Sequence, residues 1–400
     1  MNLLLLTNKP PYPAKDGGAI SMMNLIRKFS EQGHKLTVLS MNTRKHTTLA
    51  SDIPPEIRKT ADFHFVDVPA KISYSAAFFN LIFSHEPYNA VRFISADYQK
   101  KLEKLLSKNN FDVVQLEGLY LCPYIPAIRE KSNAAIVYRA HNVEYEIWER
   151  TAAISSGLKK LYLRNLAHRL CRFEQKTINQ YDLLVPFTAR DAAIFNKMGN
   201  NRPLLVSPAS VDWGEPISEI SQIEYPSLFH IGSLEWAPNQ DGLIWFLDNC
   251  WTRIHKKFPS LNFYIAGRNA PEWLTPKFRT PGITFLGEVD DARMFMNSKA
   301  VMVVPLLSGS GMRVKIVEGM ALGKVIVSTT IGAEGIGAMQ GKNILLADTP
   351  DDFVVQVSAL VENKDLFLTI GRDAAGFARE NFDAETLAAK LLDFYKKHCS

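Results

Sequence analysis

Short apolar runs alternate along the chain with longer stretches whose apolar positions recur every three or four residues, and the alternation passes through the same order twice. Near the start, NLLLLT leads through the turn-rich NKPPYPAKDGGA into the amphipathic ISMMNLIRKFSEQGH, which Gly33 closes as a helix C-cap would, and then into KLTVLSM. Past the middle, SLFHIGSL leads through EWAPNQDG into LIWFLDNCWTRIHKKF and then LNFYIAG. Each passage predicts a strand, a loop, a helix and a second strand. Further strands are predicted at DVVQLEG, AAIVYRAHN and DLLVPFT in the first half, and at ITFLGEV, AVMVVPLL and KVIVSTT in the second.

Continuously apolar strands separated by amphipathic helices imply parallel sheets covered on both faces. The expected class is therefore α/β, with two doubly wound domains. A charged helical stretch from Leu158 to Gln180 leads toward a linker near Ser207 to Trp213, and beyond Asp348 the chain reads as helices only. The expected domains are 1–207 and 208–381, with a last helix at about 382–400 packing back onto the first.

A length of 400 residues with 46% hydrophobic content is enough for two ordinary cores. The net charge of +5, from 46 basic and 41 acidic residues, reads as mild and spread out, which argues against a nucleic-acid partner. It suits an anionic small molecule or an anionic membrane surface. Cys122, Cys171, Cys250 and Cys399 show no C-x-x-C spacing, which fits a reducing, cytoplasmic compartment and offers no metal framework. MNLLLLTNKPPYP has too short an apolar run for a signal peptide, and no run approaches the ~20 apolar residues of a membrane span. The segment from Ser73 to Phe93, SYSAAFFNLIFSHEPYNAVRF, has two readings: aromatics at a lipid edge on the inner membrane face, or a buried helix of the first domain.

In open parallel sheets ligands bind outside the carboxyl ends of the strands, so the loops just after strands are the candidate site, with the cleft between the two sheets as its expected place. Three such loops stand out. Gly17 and Gly18, after Asp16, let backbone N–H groups approach a phosphate, although a plain turn explains them equally well. Ser308, Gly309, Ser310 and Gly311 form a small-residue cradle before a helix predicted from Met312 to Leu322, with Arg313 and Lys315 at its start. Positive charge there opposes the helix dipole and so points to an anion, while the plainer reading is a solvated Lys315–Glu318 pair. His141, with Asn142, follows the strand AAIVYRA and is either a proton handler or a structural histidine. No Asp-x-Asp, H-E-x-x-H or G-x-x-x-x-G-K-S/T occurs, so a metal-held phosphate and a P-loop lack their parts.

PPYPAKDGGA, RAHNVEYEIWER, VVPLLSGSGMRVKIVEGMALGKVIVSTTIGAEGI and FARENFDAETLAAKLLDFY together resemble retaining glycosyltransferases of family 4, in a subgroup with a GSGMR-K-E pattern. The likeness spans nearly the whole chain. It implies the GT-B fold, with two Rossmann-like domains facing a central cleft, a UDP- or GDP-linked sugar donor held mainly by the second domain, a glycan or lipid-linked acceptor held by the first, and no cofactor or metal. The work would be bacterial surface polysaccharide synthesis. By the same resemblance Glu318 takes the ribose hydroxyls, Gly17 and Gly18 close on the diphosphate, and His141 bonds a hydroxyl of the transferred sugar. Gly232, Ser233, Arg268, Val289 and Ser308 to Met312 complete the donor set, Asn142 and Glu144 face the acceptor, and His141, Arg313, Lys315 and Glu318 carry catalysis. Two departures stand out. Ser310 replaces a glutamate, and the loop HIGSLEWAPN has Ser233 and Pro238 or Asn239 where an arginine and a lysine are usual, so Arg313 and Lys315 are the expected substitutes. The competing readings are a GT-B epimerase, an inverting transferase, or a non-catalytic nucleotide- or carbohydrate-binding subunit.

Overall fold

The computed structural model describes residues 1–213, 223–309 and 311–399. Ser310 thus lies outside the described residues. The chain divides into two compact units, one of Met1–Ser210, Ser310–Met312 and Ala384–Ser400, the other of Val211–Gly309 and Arg313–Asp383.

The first unit is built on a parallel sheet of β1 (Asn2–Thr7), β2 (Lys35–Asn42), β3 (Asp62–Asp67), β4 (Val113–Glu117), β5 (Ala135–Ala140) and β6 (Leu183–Pro186), ordered β3-β2-β1-β4-β5-β6. The run NLLLLT is continuous because successive side chains of a strand point to opposite faces and here both faces are covered. Leu4 and Leu6 enter one core with Val114, Leu116 and Ile136, while Leu3 and Leu5 enter another with Phe29, Val38 and Val113. Truncating any of these leucines to alanine would cost about 2–5 kcal/mol. The helix Ala384–His398 belongs to this unit, placing Leu391, Leu392 and Tyr395 in the second of those cores, with Tyr395 edge-on to Phe29 at 6.4 Å between centroids.

The second unit repeats the plan with β7 (Glu224–Ile231), β8 (Asn262–Ala266), β9 (Ile283–Gly287), β10 (Lys299–Val304), β11 (Val325–Ser328) and β12 (Leu345–Leu346), ordered β12-β11-β10-β7-β8-β9. Counted from its own first strand, this order is the same as in the first unit. Both are the dinucleotide-fold strand order, whose switch points fall between β1 and β4 and between β7 and β10.

The structure departs from expectation in four places. β3 and β12 were not anticipated: DFHFVD carries an acid at each end and is half exposed at the sheet edge, and β12 is only two residues long. The helix expected from Met312 begins at Val314, with Arg313 at its N-cap position and outside the first turn. The first boundary falls after Ser210, three residues later than expected. Finally, the buried-helix reading of the segment from Ser73 fails over the helix Tyr74–Phe83, which has no buried residue, while beyond it Pro87, Tyr88, Asn89, Ala90 and Phe93 are buried.

Candidate functional site

In the second unit, the chain leaves β10 through Pro305 to Ser308 and enters the helix Val314–Ala321. Gly309 takes φ +118° and Gly311 φ +79°, conformations that favour glycine. A Cβ on Gly309 would lie 2.7 Å from the Arg313 guanidinium and 3.2 Å from the Trp236 ring. Close packing, as well as the backbone turn, therefore demands glycine there. Arg313 lies over Trp236, with 5.5 Å from Cζ to the ring centroid, an arrangement that holds the guanidinium at the helix start. The helix has neither a side-chain cap nor an acidic residue in its first turn, so although Ile316 N–H already donates to Arg313 C=O at 2.9 Å, the positive end of its dipole is not offset and would favour an anion. Lys315 Nζ sits 2.9 Å from Glu318 Oε2, so the plainer pairing considered from the sequence does form. The ammonium keeps two further donors and Glu318 its Oε1 lone pairs, so the pair remains able to receive a ligand.

The neighbouring loops close around β7 through backbone contacts. Gly232 N–H donates to Ala266 C=O at 3.2 Å, Leu234 N–H to Arg268 C=O at 2.9 Å, and Gly267 N–H to Gly287 C=O at 2.7 Å. Asn239 Nδ2 donates to Ser233 C=O at 2.9 Å and would touch any Cβ placed on Gly232. Ser233, Arg268 and Val289 are half-buried in these loops, and Ser308 and Met312 are buried. His230, at the end of β7, was not anticipated. Its Nδ1 donates to Val303 C=O at 2.9 Å, Nε2 has no partner, and burial pushes its pKa down to about 4, so the ring is neutral.

In the first unit, the charged residues at the ends of β4 and β5 form a buried network. Glu117 pairs in register with Arg139 across the sheet. Arg139 Nη1 lies 3.2 and 3.1 Å from the two Glu117 oxygens, and its Nη2 donates to Ser21 Oγ at 2.9 Å. His141 Nε2 lies 2.6 Å from Glu117 Oε2, and Gln115 donates to Oε1 while accepting from Tyr395 Oη at 2.6 Å. Phe187 carries Arg139 over its ring at 4.7 Å and stacks on His141 at 4.5 Å. Burial alone would raise the Glu117 pKa, but Arg139 and His141 overcome it and hold the carboxylate at about 2. Burial lowers the His141 pKa more than Glu117 restores it, so the imidazole is neutral at pH 7. With Nε2–H committed to an ionised carboxylate, the Nδ1 lone pair is the acceptor left for a ligand.

Other expected residues of the first unit are already engaged. Gly17 and Gly18 open the helix Gly17–Glu31, where Asp16 accepts from Ala19 N–H at 3.0 Å and pairs with Lys9 at 2.6 Å. Burial opposes the Asp16 charge, but Lys9 brings its pKa down to about 2. A carboxylate therefore already occupies part of that helix start. Glu144 accepts from the Tyr120 hydroxyl at 2.8 Å, and burial raises its pKa. Asn142 lies so close to Gly311, which belongs to this unit, that a Cβ on the glycine would collide with Asn142 Oδ1. Among the described residues no group of three or more His, Cys, Asp or Glu is placed to hold a metal ion.

The fold has counterparts in known proteins. Residues 225–363 match the family described as Glycosyl transferases group 1. Over 98% of both chains, the protein is 19% identical to an uncharacterised 44.6 kDa protein in the cps region of Klebsiella pneumoniae. Among solved structures, Anabaena HepE in complex with UDP and glucose superposes with a TM-score of 0.69 at 12% identity, covering 98% of this chain and 99% of that one. Sucrose-phosphate synthase from Thermosynechococcus elongatus reaches a TM-score of 0.74 at 12% identity, covering 99% of each chain. The fold is GT-B. In this GT-B protein the segment matching group 1 contains β7 to β12 and the Arg313–Glu318 turn, so the family likeness and the uncapped helix start fall on the same unit.

Proposed function

We propose that this GT-B protein transfers a sugar from a nucleotide diphosphate sugar to a glycan or lipid-linked acceptor, with retention of anomeric configuration and without a metal. The observation that carries the reading is the uncapped start of the helix Val314–Ala321, with Arg313 held on Trp236 beside it and Glu318 one turn in, inside the segment that matches group 1 glycosyl transferases. The diphosphate is bound by the leading N–H groups, Arg313 and Lys315, and the ribose hydroxyls donate to Glu318. When the bond between the sugar's C1 and the phosphate oxygen breaks, its electron pair stays on the diphosphate, where two cations and the helix dipole stabilise it. The acceptor oxygen bonds to C1 on the same face, and its proton passes to the departing phosphate oxygen. In the first unit, His141 offers its Nδ1 lone pair as an acceptor for a sugar hydroxyl.

UDP is the favoured nucleotide, supported by the UDP bound to HepE, with GDP as the alternative. A role in surface polysaccharide synthesis is supported by the cps-region relative. One observation favours a second reading. The Glu117–His141 dyad supplies the oriented base that an inverting transfer would use on the acceptor hydroxyl. Proton NMR of the first product formed from a UDP- or GDP-sugar of known anomeric configuration tests the proposal: retention is expected, and inversion would establish the second reading. Transfer to neither glycan nor lipid-linked acceptors would leave a binding subunit.

A further inference from the structure

The helix Tyr74–Phe83 is held to the first unit at both ends by polar contacts while its apolar side chains point outward. At its start, Tyr88 Oη accepts from Ser73 N–H at 2.9 Å and donates to Lys71 C=O at 3.0 Å. At its end, Arg169 donates to the carbonyls of Asn80, Leu81 and Ser84 at 3.1, 2.7 and 2.8 Å. Arg169 belongs to the helix Gly157–Thr177 and so ties the end of the first helix to the second. Between the two anchors, Tyr74, Phe78, Phe79, Ile82 and Phe83 are 55% to 91% exposed. At ~150–250 Å² for each aromatic side chain, that is on the order of 500 Å² of apolar surface, near the upper limit for a soluble monomer. Leu158 and Leu161, on the first turns of the neighbouring helix, are exposed as well.

Charge identifies the cover. Residues 71–92 and 157–173 hold seven Lys and Arg against one acid, Glu86, which is itself paired with Lys176 at 3.1 Å. That excess is larger than the whole chain's +5, so the charge read from the sequence as spread out is concentrated here. Lys71, Lys159, Arg164 and Arg172 are exposed and make no ion pair among the described residues. A second copy docking face to face would set these cations against themselves. An anionic bilayer satisfies both features at once, taking the aromatics at headgroup depth and the cations against its phosphates.

We infer that the surface formed by the helices Tyr74–Phe83 and Gly157–Thr177 docks on an anionic phospholipid bilayer. The described residues contain no helix long and apolar enough to cross a membrane, so the contact is peripheral. The inference stands apart from the donor reading, because its readout is lipid binding. The full chain is sedimented with vesicles of phosphatidylcholine alone and of phosphatidylcholine mixed with phosphatidylglycerol, across a range of salt. The expected result is binding on the order of tenfold stronger to the anionic vesicles, weakening as salt rises. Phe78→Ser with Phe83→Ser, and separately Lys159→Glu with Arg164→Glu, should each abolish it. All four positions are exposed, so thermal unfolding and the response to UDP stay as in the wild type. Equal binding to both vesicles, binding that survives both variants, or a dimer in light scattering that the phenylalanine variant dissolves would overturn the inference.

Discussion

Glu117 Oε2 lies 2.6 Å from His141 Nε2, and the Arg139 guanidinium bridges both oxygens of the same carboxylate. Glu117 thus fixes which imidazole nitrogen is left for substrate, and also opposes the fall in the His141 pKa that burial causes. Activity should decline on acidification below pH 6.5, as His141 gains a proton and loses its acceptor. In Glu117→Gln the opposing charge is gone, so the acid limb should move to lower pH while kcat falls. His141→Asn should cost about 10²-fold in kcat if the ring takes part in proton transfer, and less if it only accepts a hydroxyl. Profiles of kcat against pH for the three proteins measure both effects. An acid limb in the same place in Glu117→Gln would separate the dyad from the reaction.

Lys315 and Glu318 make a half-buried i,i+3 pair, a spacing worth only a few tenths of a kcal/mol on a helix. Glu318→Gln should therefore leave the unfolding midpoint nearly unchanged. If the carboxylate receives ribose hydroxyls, the same variant should weaken donor binding about tenfold, a loss of ~1.4 kcal/mol. Calorimetric titration with UDP and a midpoint scan on the same sample separate the two roles.

Gly309 packs against both Arg313 and Trp236 at φ +118°. Gly309→Ala introduces both a strained backbone and a methyl group where the guanidinium lies, so Arg313 must move off the indole. Donor KM is expected to rise at least about tenfold, with stability down by roughly 1–3 kcal/mol. Trp236→Leu, which removes the ring and keeps the backbone, should show the KM effect alone. Steady-state kinetics with varied donor tests both variants.

Two buried acids set opposite pH dependences of stability. Glu117 has a folded pKa of about 2 against 4.5 unfolded, so its contribution is present above pH 4.5 and is lost as pH falls from there toward 2. Glu174 accepts from the N–H groups of Glu144 and Tyr145 at 3.0 Å, yet burial pushes its pKa up to about 8. Its folded form holds a proton that the unfolded chain has released, so its contribution is present below pH 4.5 and fades as pH rises toward 8. Melting curves from pH 5 to 8 should flatten in Glu174→Gln, which cannot release that proton. An unchanged slope would remove Glu174 as its cause.

Much of the fold was legible because strands covered on both faces must be apolar at every position, as Leu3 to Leu6 are. β3 and β12 escaped because a half-exposed edge and a two-residue bridge leave no such run. The Ser308–Glu318 turn could be read from its glycines and cations. Its N-cap position and the Trp236 contact could not, since an exposed tryptophan after a strand has no local signature. The Glu117–Arg139–Gln115 network did leave a signal. DVVQLEG and AAIVYRAHN carry Gln115, Glu117 and Arg139 inside otherwise buried strands, and buried charges must be paired. The basic surface was missed because its cations come from two separate segments that only the tertiary fold brings together.

The central claim is that a nucleoside diphosphate binds at the start of the helix Val314–Ala321. Thermal unfolding of the wild type with increasing UDP and GDP, set beside Arg313→Ala with Lys315→Ala, tests it most directly. For the wild type the account predicts a midpoint that climbs with nucleotide concentration, and for the double variant a midpoint that does not respond. An equal climb in both proteins, or none in the wild type with either nucleotide, would contradict it.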